Sequence, residues 1–355
     1  MFRLRPAFLF LMVCLLLPVF FVTASAGVAN PDLSVIGQLV SHQTDDRASQ
    51  DANTPTLNLG ETEFVFDAYL NPYAKGMFVF SVGTGGFSTE EAYLNIIKGI
   101  PDGMALKGGK YRVGFGLLNP VHPHAYPFID TPRSLAALLP GGEDGFNDVG
   151  AQASFFLPSV GNWASTITGD VLNGSSFHPD ETKASAAWVC RLGNSFLFND
   201  SIPLEVGFSA TQGTNNVQWN TRTGVYGGDV KTKLPLTGQA NLTLQGEYLY
   251  NSSSIVVDST TGHFDTVNRS GLYTFANLQF RQRYNAGIMY DQYQPQENST
   301  GIDRSVKVFL GYALMEETTL FRVAYERFFP GGADPVNTVS FQVLFSMGPH
   351  KPHQF

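Results

Sequence analysis

His122 and His124 are the densest pair of potential ligand residues in this chain, separated only by Pro123. Two imidazoles two positions apart in a loop suit a transition cation. They also suit ordinary loop packing, because the sequence fixes no further donor, the nearest carboxylate along the chain being Asp130. A second set of candidates is charged. Lys110 and Arg112 lead into a segment that carries Asp130, Arg133, Glu143 and Asp144. Such a cluster can form a ring that selects ions in a pore, or its members can satisfy one another and pin the segment. There is no G-x-S-x-G, H-E-x-x-H, phosphate loop or C-x-x-C, so none of these motifs marks an enzyme.

These residues need elements to position them, and the sequence predicts strands. From residue 33 onward apolar residues recur at every second position. In 241–250 Leu242, Leu244, Tyr248 and Tyr250 alternate with Asn241, Thr243, Gln245 and Glu247. In 319–327 Phe321, Val323 and Tyr325 alternate with Arg322, Ala324 and Glu326. Sixteen such segments begin near residues 33, 61, 75, 89, 104, 148, 162, 183, 203, 220, 240, 269, 284, 304, 318 and 337. Most are close to the ~9–11 residues that a tilted strand needs to cross a bilayer. Only 132–139 reads as a short helical piece. Short links alternate with longer ones, 192–202 fitting worst and 251–267 reading as a long loop. Aromatics such as Tyr73, Trp163, Tyr290, Tyr293, Phe328 and Phe329 stand at strand ends, where interfacial girdles belong.

The expected fold is therefore all-β: a transmembrane antiparallel β-barrel of about 16 strands. Its long third extracellular loop, residues 116–148, is expected to fold into the lumen. A barrel of roughly 16–18 strands leaves an aqueous channel, so the polar strand face is expected to line water, with Glu63, Asp67, Glu247, Arg281, Asp291, Lys307, Arg322 and Glu326 on it. Composition agrees. Charged residues make up 15% and aromatics 13%, with 36 glycines and a mean hydropathy of −0.04, which fits a wall apolar on one side and wet on the other. Net charge −8 and pI ≈ 5.3 exclude a nucleic-acid binder that relies on a basic surface. Arg3 and Arg5, the apolar run 7–22 and the small residues Ala24 and Ala26 read as a signal peptide cleaved after residue 26. Its removal leaves Cys190 alone, so no internal disulfide is available. The barrel is expected over 27–348, with a short tail over 349–355.

Residues 90–135 resemble the phosphate-selective porin O and P type of outer-membrane protein. The likeness lies in Glu91, Ala92 and Tyr93, in Gly109-Lys110-Tyr111-Arg112, and in Phe115-Gly116. The H-x-H step and Asp130-Thr131-Pro132 are similar to related barrels labelled zinc-regulated, TonB-dependent receptors. TonB-dependent receptors carry a plug and about 22 strands, more than this chain can hold. The resemblance implies a sixteen-stranded, trimeric porin in a Gram-negative outer membrane, in contact with its lipid. It would pass small hydrophilic solutes or ions without a cofactor. The alternative is a receptor or scaffold barrel that binds a divalent metal or a partner protein.

Overall fold

The computed structural model describes residues 31–83, 85–178, 185–199, 201–236, 238–258, 262–295, 301–315 and 318–348. The expected signal peptide and C-terminal tail lie outside the described residues.

The strands are β1 (Asp32–Thr44), β2 (Thr56–Leu59), β3 (Thr62–Asn71), β4 (Ala74–Gly83), β5 (Gly86–Ile96) and β6 (Met104–Arg112). After a long loop, called L3 here, come β7 (Asn147–Phe156), β8 (Trp163–Leu172), β9 (Ala187–Phe198), β10 (Ile202–Asn216) and β11 (Thr221–Pro235). The last six are β12 (Ala240–Asp258), β13 (His263–Phe280), β14 (Tyr284–Tyr293), β15 (Asp303–Met315), β16 (Thr319–Phe329) and β17 (Val336–Met347). All neighbouring pairs are antiparallel. β1 closes the sheet by pairing β17 on one side and both β2 and β3 on the other. β2 and β3 are one stave interrupted at Gly60, so the wall has sixteen staves among the described residues.

Closure follows from the side-chain pattern. Phe78, Phe208, Tyr248, Val308, Val323 and Phe341 are exposed on the outer face, as they are on a surface that meets hydrocarbon. In hydrocarbon every backbone amide must find an internal partner, which a sheet achieves only without an edge. Glu247, Arg322 and Glu326 stand on the inner face, as the alternation in 241–250 and 319–327 predicts, but they are buried there rather than exposed to water.

Some expectations need correction. The segment 192–202 is not a long link. β9 runs to Phe198, and the turn closes through Asn199 at φ 48°, a conformation that asparagine tolerates. Residues 251–267 are not a loop either. β12 and β13 stay in register from Ala240–Phe280 out to Asp258–His263, because Ser, Thr, Val and Ile there pair as well as the strand below them. Arg281 does not face the lumen. It occupies the exposed turn after β13 at φ 51°, its guanidinium 5.1 Å from the centre of the Phe280 ring. Tyr293 and Phe328 are not girdle residues. Tyr293 packs against the interior cluster, and Phe328 lies 4.2 Å beneath the Arg133 guanidinium.

Candidate functional site

L3 occupies residues 113–146 and lies within the barrel. Its neck is drawn together by Asn119, whose side-chain amide donates to the carbonyls of Val113 (2.7 Å) and Phe146 (2.9 Å) while its oxygen accepts from Phe146 N (2.8 Å). Arg112 donates to the carbonyls of Asn119 (2.8 Å) and Asp144 (3.1 Å). The loop's apolar residues, among them Phe115, Tyr126, Phe128, Leu135 and Leu138, are buried against an apolar patch inside the wall. That patch consists of Val225, Leu249, Tyr273, Phe275, Met289 and Phe309. The inner face at mid-height is therefore not simply a polar lining. On the β11–β15 side it receives the loop.

Polar groups complete the docking. Glu247 accepts from the backbone of Leu117 and Leu118, both at 2.9 Å, and from the Tyr273 hydroxyl. It points inward as expected, but it is buried and holds the loop rather than facing water. Gly116 sits beside it at φ 65°, where a Cβ would overlap the carboxylate and an L residue would be strained. The one α-helix of L3, α1 (Arg133–Leu138), lacks a side-chain cap of its own. The wall supplies the caps. Asp291 accepts from Ser134 N at 3.2 and 3.3 Å, which satisfies first-turn amides. At the other end Asn251 donates to Leu138 O (2.8 Å) and Arg269 to Ala137 O (3.1 Å). Gly271 leaves room for Leu138 above it.

The charged candidates divide by position. Arg133 makes a two-pronged pair with Glu326, at 2.9 and 3.2 Å, and Asp130 meets Lys307 at 3.3 Å. Both are loop-to-wall pairs. Lys110 donates to Thr89 O (2.6 Å), Asp67 pairs with Lys75 (2.7 Å), and Arg322 donates to His124 O (3.2 Å) and to Gln342 (3.1 Å). Glu143 and Asp144 are exposed on a short turn and carry their charge into open space. The sequence leaves two readings for Lys110, Arg112, Asp130, Arg133, Glu143 and Asp144, one selectivity ring or mutual pins of the loop. The structure does not bring those side chains together as one ring, because Arg133 and Asp130 have turned to partners on the wall.

The two histidines do come together with carboxylates, and these are wall residues rather than Asp130. His124 Nδ1 lies 2.9 Å from Glu63 Oε1, and His122 Nδ1 lies 3.3 Å from Glu63 Oε2. His122 Nε2 is 2.7 Å from Glu91 Oε1. Burial opposes a charged imidazole at His122. The hydrogen bond and charge of Glu63, followed by those of Glu91, outweigh it and hold the pKa at about 9.

Two large cavities flank L3. The one at the end bearing the long links has a volume of about 1600 Å³, and its charged lining includes Glu61, Glu63, Glu90, Glu143 and Asp144 against Lys110, Arg112 and Arg269. The one at the short-turn end, about 1010 Å³, has Lys231, Lys233, Arg283 and Arg322 against Glu205. His122 lines the first and His124 the second, so the loop segment between them is the partition.

The closed antiparallel barrel has the fold of outer-membrane porins and channels. The outer-membrane channel DcaP of Acinetobacter baumannii superposes with a TM-score of 0.60 at 10% identity, over 91% of this chain and 99% of that one. The anion-selective porin from Comamonas acidovorans gives 0.57 at 10% identity, over 90% and 100%. OmpT of Vibrio cholerae in its trimer form gives 0.60 at 8% identity, over 90% and 100%. An uncharacterized protein of Aquifex aeolicus (strain VF5) is 27% identical over 338 residues, covering 84% of this chain and 70% of its own length. No family model matches.

Proposed function

We propose that this protein is an outer-membrane porin through which small hydrophilic solutes or ions diffuse passively, with L3 as the constriction. The observation that carries this reading is the pair of wide, charge-lined cavities on either side of a single loop in a closed barrel. Charged and polar side chains keep both cavities hydrated, as a route for hydrophilic solutes requires. Their opposite charge balance gives an acidic outer mouth and a basic inner one, which supports charge-dependent passage. Short turns mark the periplasmic end of such barrels. The protein is a homotrimer in this reading, and OmpT of Vibrio cholerae is described in a trimer form. Kinship with the phosphate-selective porins is part of the same reading and rests on residues 90–135.

Flux through reconstituted vesicles tests it. Liposomes carrying the folded chain are expected to swell in small uncharged sugars and to swell progressively less as the sugar grows. Swelling no faster than in protein-free liposomes contradicts the reading and favours a barrel used for binding.

A further inference from the structure

We propose that Glu63, His122 and His124 form a binding site for a divalent transition cation, which clasps L3 to the barrel wall. The three residues offer donor atoms that all lie within 4.8 Å of one another. A tetrahedral ion with bonds of ~2.0–2.2 Å holds its ligand atoms roughly 3.3 Å apart. His124 Nδ1 lies 2.9 Å from Glu63 Oε1 and His122 Nδ1 3.3 Å from Glu63 Oε2, so each imidazole already has a carboxylate oxygen close to that spacing.

Several features prepare these atoms for an ion. Glu63 Oε2 is buried and faces His122 Nδ1 at 3.3 Å, so a carboxylate oxygen is held out of water beside that imidazole. A ligating histidine usually gives its other ring N–H to a carboxylate, which fixes the tautomer and raises the basicity of the donor nitrogen. Glu91 does this at His122 Nε2, at 2.7 Å, so that Nδ1, which faces Glu63, is the ligand once the cation displaces its proton. Pro123 opens the short turn that carries both imidazoles, and the rings lie 5.6 Å apart at 30° to each other. Arg322 fixes the turn from below through the carbonyl of His124. Two nitrogens and a carboxylate, without a thiolate, suit zinc, cobalt, nickel or copper rather than calcium or magnesium. Three protein ligands leave a fourth position for water. His122 and Glu63 both border the acidic outer cavity, through which a cation would arrive.

The clasp joins a wall strand, β3, to the part of L3 that divides the two cavities. It stands on donor geometry and does not depend on conduction, so the proposal and the channel reading fail separately.

The experiment titrates the full, detergent-folded chain, first stripped with a chelator, with Co2+ and follows visible d–d absorption. The expected result is saturation at one equivalent with the strong bands of tetrahedral cobalt, and their loss on addition of Zn2+. His122→Ala and His124→Ala are expected to abolish the bands. Glu63→Gln, which keeps the side chain's shape, is expected to abolish them or to weaken binding. Glu91→Gln is expected to weaken binding by about tenfold or more through the lost support of His122. Folded barrels are identified beforehand by their altered gel mobility without heating, so a variant that does not fold is replaced by His122→Gln. Absence of saturable tetrahedral bands in the native chain overturns the proposal, as does a signal unchanged in Glu63→Gln and the His122 variant.

Discussion

Replacing residues 117–143 with a short glycine-serine link is expected to raise single-channel conductance severalfold and leave a folded barrel. The staves pair with one another from β1 round to β17, and none of their ladders passes through L3. The wall therefore survives loss of the loop, while the partition between the 1600 and 1010 Å³ cavities disappears. Some stability is lost, because Val225, Leu249, Phe275 and Phe309 then meet water in place of the loop's apolar residues. Planar-bilayer recording of the shortened chain beside the intact one measures the effect. Equal conductance would mean that solutes do not pass L3 at all.

Phe128→Ala is expected to release the loop without removing it. The ring is fully buried, and it meets Phe275 edge-on at 5.3 Å and Phe309 at 5.6 Å, with Tyr126 at 5.4 Å on its other side. Truncating a phenylalanine in such a setting costs about 3–5 kcal/mol. The cost falls on docking of L3, since Phe128 belongs to no strand of the wall. Limited proteolysis of the folded protein in detergent is expected to produce a cut within L3 much faster than in the native chain, and open-channel current noise is expected to increase. Cleavage at the native rate would show that the pins Arg133–Glu326, Glu247 and Asp291 hold the loop unaided.

Part of this arrangement is legible in the sequence because it is local. Alternation in 241–250 and 319–327 identifies the inner and outer faces, since a strand's two faces follow directly from its period of two. The helical piece inside 132–139 shows in the same way, by the change of period. Other features are not local. Arg133 meets Glu326 193 positions away, and Lys307 meets Asp130 across 177. No spacing rule predicts such pairs. The same holds for Glu63 and Glu91, which lie 61 and 31 positions before the histidines that they face. The sequence marks Glu63 as lumenal and His122 and His124 as a ligand pair, but only the inward fold of L3 unites them. Tyr293 and Phe328 mislead for a related reason. At a strand end, aromatic character alone does not tell a ring facing lipid from one that packs against a loop inside.

The central claim is that a hydrated path crosses this barrel past the loop that divides it. Single-channel recording of the unmodified chain in a planar bilayer, under a salt gradient, addresses that claim most directly. Discrete current steps are expected, with a reversal potential displaced from zero by the charged mouths. A bilayer that stays electrically silent after verified insertion of folded protein would contradict it.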